Sequence, residues 1–398
     1  MALLFEIFFW LSVFGIAFSY LIYPVILDFK SRRKLPEWIT FAGEKKWPDV
    51  YILMAVYNEE KVIQKKLESI ISAHYPYGNI HLYIGSDCST DKTNKIVESY
   101  QVSNPNLHFF VMDQRSGKSG ILNFLHETIN KNKAVSKNDV YILTDANVIF
   151  DKYTVYELAK HFKDEKMGVV NANILNITPN SRGIAQEEKT YIQRENRIKY
   201  MEGINWNATI GAFGACYALR AVIFEKIPVN FLMEDFYLSM KALEKGYKSI
   251  TDLNAQVTED VSEDVKQEFK RKIRISAGNY QNLNRFRHLL HPNKKGIAFA
   301  FFSHKVLRWL TPFLIIFSLI FSGILGTVSD FYSYIFWIQS ALIVLSLIDY
   351  FLQLLRIKIP GIRLISYFYM MNLALLIGFF KYLKGIKTNV WQPTTRTN

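Results

Sequence analysis

Asp145 and Asn147 stand two apart in the string TDAN, directly after the apolar run Val140, Tyr141, Ile142 and Leu143. Such a run reads as a short buried strand, so it delivers both residues to the strand's C-terminal end, where ligands bind in open α/β sheets. A carboxylate and an amide oxygen are hard ligands of the kind that Mg2+ or Mn2+ takes when a substrate's phosphates complete its shell. Asp87 ends the strand-like HLYIGSD in the same way. Between the two lies a basic turn, Arg115, Ser116, Gly117 and Lys118. Its Gly-Lys-Ser ending invites a phosphate-loop reading, but Met112 stands where the first glycine belongs, so that signature fails. Downstream, Glu234 and Asp235 are adjacent carboxylates. Their repulsion raises a pKa and suits proton abstraction; the plainer alternative is an acid pair at a helix N-terminus. Arg271 and Arg274 fall three apart on a helical pattern and share a face.

The elements that position these groups follow from periodicity. From Asp49 to about Lys295, β-rich runs alternate with helical patterns, as in an α/β domain. Strands are expected at 50–55, 80–85, 107–111, up to Asp145, and at 168–172. Helices are expected at 93–100, 119–130, 153–162 and 184–203. Asn58 has the chemistry of an N-cap for a further helix, with Glu59 and Glu60 in its first turn. Gly211, Gly214 and Ala215 lack bulk, so backbone can approach a ligand closely there.

Outside that stretch the chain is apolar. Half of its 398 residues are hydrophobic and 15% are aromatic, with a mean hydropathy of +0.04. Residues 2–27 can cross a hydrocarbon layer, which needs about 20 residues, and they read as an uncleaved anchor because no basic region opens them. Lys30, Arg32, Arg33 and Lys34 follow at once, which places the body of the chain in the cytoplasm. Residues 296–309 hold His304, Lys305 and Arg308 and read as an interfacial amphipathic helix. Runs 310–328, 334–355 and 364–380 read as crossings, with Arg356, Lys358 and Arg363 on a cytoplasmic return. A third full crossing would put Lys381, Lys384, Lys387 and Arg396 outside, against the positive-inside tendency, so a re-entrant last segment is the alternative. The expected organisation is an anchor at 1–28, an α/β domain at 29–295, an interfacial helix at 296–309, transmembrane helices at 310–384, and a tail at 385–398. Two cysteines, Cys88 and Cys216, make no metal or disulfide framework. The net charge of +13 lies largely beside the apolar runs, with no nucleic-acid-binding motif.

The order of motifs resembles the membrane-embedded family 2 glycosyltransferases, in particular the branch that includes polysaccharide synthases. The strings that carry the resemblance are VYNEE (56–60), SDCSTD (86–91), RSGKSGILN (115–123), TDAN (144–147), MEDF (233–236), RKIR (271–274) and WQPTTR (391–396). The resemblance implies a GT-A, Rossmann-like domain flanked by N- and C-terminal transmembrane helices. It also implies that Asp87 contacts the nucleotide, that Lys118 approaches the diphosphate with Asn123 on the following helix, and that Arg271 and Arg274 lie on the diphosphate side. Asp145 with Asn147 would hold the divalent cation, and Asp235 would be the general base. TDAN stands where the family has D-x-D, and Ile275 stands where it has a tryptophan.

The implied function is an inverting, membrane-bound transfer of sugar from a UDP-sugar to a polysaccharide or lipid-linked acceptor. Membrane lipid is the surrounding partner, and an oligomer or export partner would complete a channel; no nucleic acid is expected. The alternative is a non-catalytic membrane regulator with a degenerate nucleotide-sugar site. The orientation is testable: a cysteine placed on the exposed surface of the 29–295 domain should resist an impermeant thiol reagent in intact cells, and labelling without lysis would reverse the topology.

Overall fold

A computed structural model describes residues 1–391 except 45, 177–183, 260–264 and 355–360. Arg356, Lys358 and Arg396 therefore lie outside the described residues. The chain divides into an α/β unit, made of Lys30–Pro179, Tyr191–Val261 and Ile386–Asn398, and a helical unit, made of Met1–Phe29, Asn180–Thr190 and Ser262–Gly385.

In the α/β unit the strands are β1 (Val50–Val56), β2 (Ile80–Ser86), β3 (Leu107–Val111), β4 (Val140–Thr144), β5 (Val148–Phe150), β6 (Met167–Asn176), β7 (Cys216–Arg220) and β8 (Lys248–Glu259). They form one sheet in the order β3-β2-β1-β4-β7-β6-β8-β5. The first four pair in parallel, and β7 joins β4 antiparallel. Every residue of β1 is buried, as expected of a central parallel strand covered on both faces. The chain runs outward from β1 to β3 and then returns to lay β4 on the other side of β1. That reversal is the switch point at which α/β sheets open a crevice, and Asp145 follows β4 directly into it.

The helix Ile63–Ile71 buries Ile63, Leu67 and Ile70 at helical spacing. It starts later than the sequence suggests, because Asn58 does not cap it. Asn58 has φ +52°, its N–H donates to Ser89 Oγ at 3.1 Å, and its Oδ1 accepts from the Thr90 N–H at 2.8 Å. Asn58 thus ties the exit of β1 to the exit of β2. The helix Gly117–Asn132 buries Ile121, Leu122, Leu125 and Ile129, and it lies tightly on β2 because Gly85 has no side chain there. A Cβ at Gly85 would fall 2.4 Å from Ile121 Cγ2.

In the helical unit, four helices among the described residues are long and apolar enough to cross a membrane: Ala2–Ser31, Gly296–Leu325, Asp330–Asp349 and Ile362–Leu383. Gly296–Leu325 is one continuous helical run. The sequence reading divides it after Trp309, but the backbone is unbroken there, and a π-helical turn over Phe301–Val306 carries Ser303 and His304, both buried. Phe5 and Phe8 stack on Phe321 at 5.7 and 5.5 Å. The helix Val265–Phe286 packs against Ile362–Leu383 through Ser276, whose hydroxyl donates to the Leu375 carbonyl at 2.9 Å.

Gly85→Ala should push the Gly117–Asn132 helix off the sheet and destabilise the protein by about 1–3 kcal/mol, the usual cost of overpacking. A lowered melting temperature checks this, and an unchanged one would show that Ile121 yields without cost.

Candidate active site

The site in the α/β unit is built where β2 and β4 end and where the helix Glu234–Glu244 begins. Asp87, just past β2, is fully buried. Its carboxylate accepts from Arg115 Nε at 2.8 Å and from the backbone N–H groups of Ser116 at 2.7 Å and Gly117 at 3.3 Å. It fills the N-terminus of the Gly117–Asn132 helix, where free N–H groups and the helix dipole favour an anion. Gly117 allows this with φ +72°, and a Cβ there would collide with the amide of Asn389 in the C-terminal tail. Arg115 extends the assembly. Its guanidinium lies 3.4 Å over the Tyr57 ring and donates to the Trp391 carbonyl at 2.7 Å. Tyr57 escaped the sequence reading, although it sits inside the VYNEE string that leaves β1.

Lys118 is the centre of the acidic group. Its ammonium reaches Asp145 Oδ1 at 2.6 Å and Glu234 Oε1 at 2.7 Å. Burial works against that charge, but the two carboxylates outweigh it and hold Lys118 protonated above the ordinary lysine value. Asp235, next to Glu234, is buried, and its Oδ1 accepts from the Phe236 N–H at 2.8 Å. Burial first, and then the charge of Glu234, push its carboxyl up to about 6, while Lys118 pulls the other way. Gly214 leaves room for that carboxylate, since a Cβ on it would lie 3.0 Å from Asp235 Oδ2. The glycines expected to admit a ligand make room for side chains of the Glu234–Glu244 helix: Gly211, at φ +75°, makes way for the Phe236 ring.

The remaining sequence candidates separate. Asn147 donates through Nδ2 to Glu259 at 3.0 Å, which turns its oxygen to the other side of the amide. Asn123 is bonded to the loop before Glu234. It spends both ends of its amide on Ile227, accepting from its N–H and donating to its carbonyl at 2.9 Å each, and so braces the loop that leads to Glu234. Arg271 and Arg274 belong to the helical unit, where Arg271 Nε lies 3.4 Å from Glu268 of the same helix. Among the described residues no cluster of three His, Cys, Asp or Glu side chains could hold a metal.

The family model described as glycosyl transferase family 2 matches residues 51–227, and that described as glycosyl transferase family group 2 matches residues 141–380. The second match takes in more than half of the chain, which therefore belongs to the family 2 glycosyltransferases and is a transferase of sugar groups. A probable glycosyltransferase, YdaM of Bacillus subtilis (strain 168), is 25% identical over 343 residues, covering 82% of this chain and 77% of its own. The poly-beta-1,6-N-acetyl-D-glucosamine synthase of Staphylococcus epidermidis is 32% identical over 124 residues, 31% of this chain and 28% of that protein. The solved structure of the mannosyltransferase PcManGT from Pyrobaculum calidifontis, in complex with GDP-Man and Mn2+, superposes with a TM-score of 0.67 at 18% identity. It covers 94% of this chain and 99% of that one, and the two share the GT-A fold.

Lys118→Met should leave Asp235 facing Glu234 without the counter-charge that pulls its pKa down. With Asp235 as the general base, the acidic limb of the transfer rate should then move to higher pH. A pH–rate profile checks the direction, and a limb that stays put or moves down would detach Lys118 from Asp235.

Proposed function

We propose that this protein is a membrane-embedded inverting glycosyltransferase. It would move a sugar from a UDP-sugar to a polysaccharide or lipid-linked acceptor, with the catalytic unit in the cytoplasm. The observation that carries the proposal is the Lys118 bridge between Asp145 and Glu234, with Asp235 buried beside it and its carboxyl raised to about 6. A general base works best with a pKa near the operating pH, and this carboxyl is ionised at neutral pH yet basic enough to accept a proton.

Asp87 and the turn that it holds form the nucleotide side, and Lys118 offers its charge to the diphosphate. The acceptor hydroxyl is held beside Asp235. Its oxygen bonds to the anomeric carbon on the face opposite the diphosphate, the bond from that carbon to the phosphate oxygen breaks with its electron pair, and the proton passes to Asp235. One displacement gives inversion, and UDP leaves. The chemistry of the donor set suits Mg2+ or Mn2+: Asp145 offers a partly exposed carboxylate, Asn147 has its amide oxygen uncommitted to Glu259, and phosphates would supply the other ligands. Such a cation, when bound, stabilises negative charge on the leaving diphosphate.

Support for the acceptor comes from what the relatives are named for: a polysaccharide synthase, and a beta-monoglucosyldiacylglycerol synthase of Synechocystis that is 25% identical over 182 residues. Support for the membrane comes from the four long apolar helices, and support for the orientation from the basic residues after the first of them. A non-catalytic regulator would have no use for a carboxyl tuned in this way.

Asp235→Asn keeps the hydrogen bond from Phe236 but cannot take a proton. Transfer should fall by about 10²–10⁴-fold, with UDP binding near that of the parent. Folding raises this carboxyl from its ordinary 3.8 to about 6, so its contribution to stability is complete below the lower value and is lost as pH rises through the upper one. The variant should therefore hold or gain melting temperature relative to the parent above pH 6. Near-normal transfer on a folded variant would remove Asp235 from the mechanism.

A further inference from the structure

Lys66 lies on the helix Ile63–Ile71 among the residues that face the sheet, and its side chain is fully buried. Its ammonium donates to Thr144 Oγ1 at 2.9 Å and to the Val148 carbonyl, and it sits 3.6 Å over the Phe150 ring. These two acceptors flank the segment 145–147. Thr144 Oγ1 in turn donates to the Ala215 carbonyl at 2.9 Å, and the Asp145 N–H donates to the same carbonyl at 3.2 Å. Ala215 follows Gly214, the residue that lies against Asp235. A continuous set of hydrogen bonds thus runs from Lys66, through the end of β4, to the backbone that borders Asp235.

The energetics set this lysine apart from an ordinary packing residue. Among the described residues no carboxylate pairs with it; burial pushes its ammonium down to about 7, against the more distant charge of Asp145. A buried amine held by a hydroxyl, a carbonyl and a ring is less favourable than a methionine of similar length. What Lys66 gives in return is geometry.

We infer that Lys66 is a positioning residue for the transfer reaction: it holds the Asp145–Asn147 turn from beneath and fixes it, through Thr144 and Ala215, against the Gly214–Asp235 contact. This inference rests on the proposed donor site, in which Asp145 meets the cation and diphosphate. Partners behind a metal-binding carboxylate typically contribute about 10–100-fold in affinity.

The test uses the full chain in detergent, with UDP and Mn2+ as the probe. Lys66→Met should weaken UDP–Mn2+ binding by calorimetry about 10–100-fold, with a melting temperature equal to or above the parent's. Thr144→Val should reproduce much of that loss, and the double variant should be little worse than either single one, because both cut the same chain of contacts. A merely structural lysine would instead give a loss of binding that follows a loss of stability, and the two substitutions would add. Asp145→Ala is the control. If it abolishes binding while Lys66→Met and Thr144→Val bind as the parent does, the role of Lys66 is overturned and the donor site stands. If all three bind as the parent does, the donor site fails and the inference falls with it.

Discussion

One ammonium group, that of Lys118, neutralises carboxylates brought from two distant parts of the chain. Asp145 arrives on the end of β4, and Glu234 arrives at the start of a helix some ninety residues later. Without a cation between them, two such groups would repel. The bridge ties the two carboxylates to one cation in a partly buried place. Lys118 also lowers the pKa of the Asp235 carboxyl, against burial and the charge of Glu234.

Lys118 can occupy that position only because the backbone around it is unusually close. Gly117 starts the helix with a positive φ, Asp87 satisfies the N–H groups that a helix start exposes, and Gly85 lets that helix settle on β2. On the other side, Gly214 and Gly211 let the chain before β7 pass beside Asp235 and Phe236. Asn123 and Ser119, from the same helix as Lys118, bond to the backbone at Ile227 and Phe231 and so hold the loop that presents Glu234. The helix therefore supplies both the cation and the brace for one of its partners.

Two buried ionisable groups near this site, Asp235 and Lys66, carry a desolvation cost on their charged forms. Asp235 is raised by burial, and Lys66 is lowered by it. A core built only for stability would replace such groups with apolar ones of the same volume. Their retention beside the ends of β4 and β7 fits the exchange of stability for function that active sites display.

The amino-acid sequence by itself determined the first parallel strands, the acids at their ends and the apolar runs, but not β5, β7 or β8, because the former depend on short-range periodicity and on the length of apolar runs. The positions of Asp87 and Asp145 at strand ends, and of Asp235 at a helix start, were legible for that reason. Asn58 was not: as a short polar residue before a helical pattern it resembles a cap, and only the proximity of the β2 exit decides that it bonds to Ser89 and Thr90 instead. Asn123 stood out by its place in a motif, and only the fold sets Ile227 beside its amide. Lys66 was invisible, since a lysine within KKLES reads as solvated helix surface and only the sheet packed over it makes it a buried donor. Pairings between residues 78 to 116 positions apart, as in Lys66 with Thr144 and Lys118 with Glu234, carry no local signature. They arise when β4 is inserted beside β1, and the tertiary structure alone decides them.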